Sequence, residues 1–310
     1  MLSPSVRRSY RYLHLDVFTA TLFGGNQLAV FPDGRGLAAA TMQAIAKEMN
    51  FSESTFVLPS EQRDSDLRVR IFTPAEELPM AGHPTIGTAF ALAHTGVLSP
   101  GRAGVVFGLG VGPTDVELVW QGDDLRFAWM TQLRPEFGEP IAPADAAAAA
   151  LGLPAAAVAG TRLPVQRVTC GTPYLLIPLT TRAFVDRAAL APDAYSTLLA
   201  GSGLDANLPA FLFSTEAGAD NAGVYCRMFA PGLGITEDPA TGSAAGPLGC
   251  YLVRHGVIAA EQASRLLFLQ GAKMGRPSSM HVSVAASGTE VTSVRVGGES
   301  VVVGEGIVYV

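Results

Sequence analysis

A strand-to-helix unit recurs at half the chain length, and no other feature of the sequence restricts the fold as much. Phe72-Thr73-Pro74 is followed by His83-Pro84, Gly87-Thr88-Ala89 and then His94-Thr95-Gly96-Val97. Phe229-Ala230-Pro231 is followed by Asp238-Pro239, Gly242-Ser243-Ala244 and then Arg254-His255-Gly256-Val257. His83 and Asp238 stand 155 positions apart, half of the 310 residues. "GGNQLAVF" (24–31) and "CGTPYLLI" (170–177) make a weaker second pair. Agreement in residue type at several spaced positions reads as a duplication, which predicts two similar halves, each a sheet around one main helix.

Short strand-like runs dominate the rest. They predict strands at 11–18, 27–32, 54–58, 67–72, 104–108, 115–120, 165–169, 174–179, 210–214, 223–229 and 281–286, and paired strands in the tail. Helices are expected at 39–50, where Met42, Ile45, Ala46 and Met49 share a face, and at 84–96 and 239–256. The last two open on Pro and close on Gly. "LRPEFGEPIAPAD" (133–145) reads as a linker, dividing the chain into 1–135 and 136–310, with the C-terminal strand free to pack on the first half.

Composition excludes several function classes. At 48% apolar and 15% charged, the chain has ample material for a core. A net charge of -6, with Arg7, Arg8 and Arg11 the only basic cluster, leaves no footprint for nucleic acid. No segment reaches the roughly 18 apolar residues of a membrane span, and the N-terminus lacks the apolar core of a signal peptide. Three cysteines without a C-x-x-C speak against a disulfide framework or a thiolate zinc site. Five histidines form no close ligand pair, so no metal is expected. A cytoplasmic protein is the expectation.

The chemistry is expected at the repeated units. Asp238 before Pro239 has two readings: a helix N-cap, favoured by local sequence, or an acid facing a cleft. His83 is a poorer cap, and Gly82 beside it suggests close approach of something to the backbone. If the halves face each other, both helix N-termini point into one cleft, where free N–H groups and the helix dipoles favour an anion. Gly87 and Gly242 are expected in the first turns, with Thr88 and Ser243 as hydroxyl donors. A small carboxylate is the natural ligand.

Glu53, between two serines where a helix yields to a strand, is the candidate proton carrier. A surface or turn position is its plainer reading. To act near neutrality its pKa must rise from about 4.3 by burial, for which Phe51, Phe56 and Met80 are candidate walls.

"FGGNQLAVF", "MQAIAKEMNFSESTFVL", "RIFTPAEELPMAGHPTIGTAFAL", "RMFAPGLGITEDPATGSAAGPL" and "LQGAKMGRPS", in that order, closely resemble the phenazine-biosynthesis isomerase (PhzF-like) family within the diaminopimelate-epimerase-like superfamily. The resemblance covers most of the chain. It implies an α+β fold of two pseudo-symmetric domains, each a mostly antiparallel β-sheet or barrel wrapped around a central helix, with the site between them. It also implies a homodimer that needs no cofactor.

By resemblance Glu53 moves a proton, His83 and Asp238 complete the catalytic set, and Gly82, Gly242 and Ser243 belong to the loops that hold the substrate carboxylate. Asn26 lies in the N-domain cleft motif, where Gly25-Asn26-Gln27 departs from the family's usual Gly-Asn-Pro. The reaction implied is isomerisation of trans-2,3-dihydro-3-hydroxyanthranilate by allylic proton transfer. Two alternatives stand beside it. A two-base epimerase would need a cysteine at each helix-end loop, and 80–84 and 237–242 contain none. A non-catalytic carboxylate binder is the other.

Overall fold

Short apolar runs supply many strands, and two largely apolar segments, 82–94 and 242–254, become helices that the strands enclose. The computed structural model describes residues 7–141, 144–288 and 290–310. The first half holds β1 (Ser9–Val17), β2 (Asn26–Phe31), β3 (Glu53–Pro59), β4 (Leu67–Phe72), β5 (Glu77–Leu78), β6 (Gly104–Leu109), β7 (Gly112–Gln121) and β8 (Asp124–Thr131). Its helices are α1 (Ala39–Met49) and α2 (Gly82–His94).

The second half holds β9 (Glu136–Ile141), β10 (Val165–Thr169), β11 (Pro173–Pro178), β12 (Ala210–Ser214), β13 (Val224–Ala230) and β14 (Ile235–Asp238). It continues with β15 (Leu266–Gln270), β16 (Ser278–Ser287), β17 (Glu290–Gly298) and β18 (Ser300–Tyr309). Its helices are α3 (Ala144–Ala150), α4 (Ala156–Ala159), α5 (Arg182–Arg187), α6 (Pro192–Gly201) and α7 (Gly242–Arg254). No described helix is long and apolar enough to cross a membrane.

Strand pairing follows one order twice. From β1 it runs antiparallel to β2, parallel to β3, antiparallel to β4, parallel to β6, then antiparallel through β7 and β8. From β10 it runs antiparallel to β11, parallel to β12, antiparallel to β13, parallel to β15, then antiparallel through β16 and β17. β8 and β17 pair with each other and join the two runs. The C-terminal strand β18 pairs with β1, so the chain's last strand completes the sheet of its first.

α2 is buried from Gly82 to Leu92 and α7 from Gly242 to Val253, as expected for helices apolar on every side. Both contribute to one continuous core. α1 covers a separate cluster around Phe31, Phe56 and Phe72, and α3, α4 and α6 cover another around Leu175, Ile177 and Leu212.

Three sequence expectations are corrected here. The proposed linker is not one: Glu136–Ile141 forms β9 and pairs with β10, and residues 142–143 lie outside the described residues. Pro140 is compatible with a strand that pairs with β10 alone among the described strands, since proline is tolerated at a sheet edge. α2 begins at Gly82 rather than Pro84; Pro84 falls in the first turn, whose N–H groups have no helical acceptor anyway. α7 begins at Gly242, three residues after Pro239. The strands β8 and β15 and the helices α3 to α6 were not among the elements expected from the sequence.

Candidate active site

The first turns of α2 and α7 meet backbone to backbone. A Cβ built on Gly82 would lie 2.6 Å from the Ser243 nitrogen and 2.7 Å from the Gly242 carbonyl carbon. One built on Gly242 would lie 2.7 Å from the Phe18 ring. These glycines therefore admit the opposite helix and a core ring. Close packing of this kind brings the positive ends of both helix dipoles to one spot.

Glu53 opens β3 and is buried, with 11% of its side chain exposed. Its Oε2 comes within 3.2 Å of His83 Nε2, yet neither atom makes a hydrogen bond. Burial, and then the charge of Asp238, push the Glu53 carboxyl well above the ordinary carboxylate range. Burial pulls the His83 imidazole down to about 3, against an opposing contribution from the Gln27 backbone, so the ring is neutral at pH 7. Orphaned polar atoms in a protein interior are rare, and two facing each other mark a site rather than a packing unit.

Asp238 ends β14 with both carboxylate oxygens engaged. Oδ1 accepts from Asn26 Nδ2 at 2.8 Å and from Ser52 Oγ at 3.1 Å, while Oδ2 accepts from Thr241 Oγ1 at 2.6 Å. Burial pushes the acid up to about 6; the Thr241, Asn26 and Ser52 hydrogen bonds pull the other way, and neighbouring Glu237 adds to the rise. The N-cap reading is overturned: the residue capping α7 is Thr241, and no side chain caps that helix.

Ser243 Oγ lies 2.6 Å from Tyr174 Oη, a phenol that burial holds above its ordinary pKa. A cavity of about 50 Å³ opens between these groups. Glu53, His83, Asp238 and Ser243 line its polar side, and Met80, Met228, Leu233 and Ile235 its apolar side. A larger cavity of about 470 Å³, between residues 18–24 and 275–281, contains none of the polar set.

Several expected residues stand elsewhere. Gly87 lies in the second turn of α2, where a Cβ would meet Leu28 Cδ2 at 2.5 Å and Val17 Cγ2 at 2.7 Å; it accommodates the core. Thr88 pairs with Thr55 at 2.9 Å, fully buried, and does not face the cavity. Asn26 is 1% exposed and bonds to protein groups, so it holds the site's residues and is not a lining residue. Phe56 is three residues from Glu53 and therefore on the opposite face of the strand, stacked on Phe31. Phe51 stacks on His14, which leaves Met80 as the one cavity-lining member of the expected wall.

Sequence reading missed Ser52, Thr241, Gln270 and Tyr174. Tyr174 had a signal, since it stands in "CGTPYLLI" where the paired segment has Leu28.

Residues 15–306 match the family model described as phenazine biosynthesis-like protein. The chain is 37% identical over 301 residues to trans-2,3-dihydro-3-hydroxyanthranilate isomerase of Pseudomonas aeruginosa, covering 97% of this chain and 99% of that one. It is 36% identical over 301 residues to an uncharacterised isomerase of Mesorhizobium japonicum, covering 96% and 98%. Among solved structures, a phenazine biosynthesis protein of the PhzF family from Bacillus anthracis superposes with a TM-score of 0.86 at 24% identity, covering 98% of this chain and 100% of that one. With the family model matched over most of its length, relatives named as isomerases and the α+β fold in agreement, the chain belongs to the phenazine biosynthesis-like PhzC-PhzF family and is an isomerase.

Proposed function

We propose that the protein is a cofactor-independent isomerase that moves a proton on a small cyclic amino-acid-like carboxylate, of the kind represented by trans-2,3-dihydro-3-hydroxyanthranilate. The observation that carries this reading is Glu53: a buried carboxyl with a raised pKa, no hydrogen bond, and its remaining exposed surface on a cavity shared with His83 and Asp238. A carboxyl whose pKa approaches the working pH both takes and returns protons readily. In this reading Glu53 takes a proton from one substrate carbon and delivers it to another.

The substrate carboxylate sits at the ends of α2 and α7, against Ser243 and the N–H groups beside Gly82 and Gly242. Asp238 and the neutral His83 hold the amino group. The Met80, Met228 and Ile235 side receives the apolar face of the ring. A cavity of about 50 Å³ is far below the roughly 300 Å³ of an ordinary ligand pocket, so substrate entry requires this side to move outward. The repeated strand order supports a division near residue 135, with β18 returning to the first half. The family resemblance adds the expectation of a homodimer, which light scattering tests.

No cysteine lines the cavity: Cys170, Cys226 and Cys250 are free and buried elsewhere, which leaves the two-base epimerase reading without its bases. The test compares wild type with Glu53→Gln on trans-2,3-dihydro-3-hydroxyanthranilate in D₂O, following deuterium at carbon by NMR. Wild-type turnover and a loss on the order of 10²- to 10⁴-fold in the variant are expected. Inert wild type would remove this substrate; an equally active variant would remove Glu53 as the carrier.

A further inference from the structure

The "LQGAKMGRPS" stretch contributes no side chain to the cavity, yet two of its residues grip both loops that form it. Gln270 ends β15, fully buried. Its Oε1 accepts from the Thr241 N–H at 3.0 Å, and its Nε2 donates to the Asp238 carbonyl at 2.7 Å and to Thr241 Oγ1 at 3.0 Å. Gly271, at φ +74°, then turns the chain tightly against Pro239: a Cβ there would lie 2.5 Å from the Pro239 carbonyl oxygen.

Five residues on, the Arg276 guanidinium donates to Asp16 Oδ1 at 2.5 Å, to the Gly24 carbonyl at 2.6 Å and to the Gly25 carbonyl at 2.9 Å. Asp16 is 1% exposed, and its other oxygen accepts from the Phe23 N–H at 2.7 Å. Pro277 adds its carbonyl to the Gly25 N–H at 3.1 Å. The next residue of that loop is Asn26, whose amide reaches Asp238. The bonds close a ring: Arg276 to Gly24 and Gly25, through Asn26 to Asp238, and through Gln270 back to the same segment.

We propose that residues 270–276 are a positioning strap for the isomerase site, with Gln270 setting the Asp238–Thr241 loop and Arg276 setting the Gly24–Gly25 loop that delivers Asn26. That this cavity is the reacting site rests on the proposed function; the strap itself is geometry. A forked guanidinium suits this place because it binds two carbonyls and a carboxylate at once, which an ammonium on a flexible stem does poorly.

The readout is the titration of Asp238, which needs no substrate. The charged or titratable groups facing that carboxyl are Glu53 from β3, His83 from α2, Tyr174 from β11 and Glu237 beside it on β14. Two of the hydrogen bonds that favour its ionised form, from Asn26 and Thr241, depend on the strap. Aspartate labelled at the side-chain carboxyl is titrated by NMR in wild type, Arg276→Gln, Arg276→Lys and Gln270→Met, with Asp238→Asn assigning the signal.

Arg276→Gln and Gln270→Met are expected to raise the Asp238 midpoint by about half a unit or more, with Arg276→Lys between them and wild type. Where turnover is measured, kcat falls on the order of 10²-fold with KM changed less. A folded Arg276→Gln protein whose Asp238 titrates as in wild type overturns the proposal. If that variant unfolds, Arg276→Lys decides by the same signal, and unfolding of both overturns it in favour of a purely structural role. Failure of wild-type turnover bears on the proposed function and leaves this titration standing.

Discussion

Asn26 and Asp238 are 212 positions apart in the chain and meet at 2.8 Å, side-chain amide against carboxylate, inside the protein. The same Nδ2 lies 2.9 Å from the Ala240 carbonyl and 3.1 Å from His83 Nδ1. An amide nitrogen has two protons, and the two shorter contacts claim them, so His83 receives at most a shared one. Asn26 thus ties the glycine-rich loop of the first half to the acid of the second.

Asn26→Ala is expected to unpair the Ala240 carbonyl and to leave Asp238 Oδ1 with Ser52 alone. Each buried group stranded this way costs about 1–3 kcal/mol, read as a fall in urea midpoint at constant m-value. Activity falls further than stability explains, because Asp238 loses a bond that favours its ionised form. Unchanged activity in a destabilised variant would remove Asn26 from the machinery.

The acid limb of kcat/KM reports Glu53. The carboxylate is the form that takes a proton, and its fraction declines as pH falls through the raised Glu53 pKa, so the limb stands above the ordinary carboxylate range. Asp238→Asn removes the second cause of that rise. The limb in this variant moves to lower pH even though the rate is reduced. A limb that stays in place would separate Glu53 from Asp238 electrostatically.

His83 makes stability depend on pH as well. Its folded pKa, about 3, is below the ordinary 6.5, so the unfolded chain binds the extra proton and stability is lost as pH falls from 6.5 towards 3. Asp238, raised from 3.8 to about 6, gains stability over part of the same fall, which masks the effect in wild type alone. The comparison with His83→Asn isolates it: the variant's stability relative to wild type improves by about 2 kcal/mol between pH 7 and pH 5. Parallel denaturation curves at the two pH values would contradict the neutral, buried imidazole.

Two glycines on α2 are expected to behave differently. In Gly82→Ala the new methyl meets Gly242 and Ser243 backbone, which cannot turn aside, so α2 and α7 separate at a cost of about 1–3 kcal/mol or more and activity is lost. In Gly87→Ala the methyl meets the ends of the Leu28 and Val17 side chains, which rotate; stability falls less and activity persists. Thermal melts and turnover of the two purified variants decide this, and loss of activity in Gly87→Ala with its fold intact would return that residue to the site.

The residues that carry the fold announce themselves locally. Short strand-like runs marked β4, β6 and β13, and segments opening on Pro84 and Pro239 and closing on Gly marked the helices that the strands enclose. Helix starts were read two or three residues off, because Pro84 and Pro239 signal a helix without standing at its first residue. β9 was read as a linker because its proline and glycine mask a strand whose partner, β10, comes some 25 residues later.

What the sequence by itself determined was the repeated unit, which supplied His83, Asp238 and Ser243; Glu53 stands outside the repeat and came from the Ser-Glu-Ser motif of the family resemblance. Their residue types and spacing are properties of the chain. Only the tertiary structure decided what each one touches. Gly82 proved to make room for the α7 backbone and Gly242 for the Phe18 ring, Gly87 and Thr88 turned into the core, and Asn26, Gln270 and Arg276 emerged as the residues that hold the rest. The reason is range: strand and helix periodicity act over a few neighbouring residues, whereas the Asn26–Asp238 and Arg276–Asp16 contacts close separations of 212 and 260, and no local pattern encodes which distant atom comes to lie opposite.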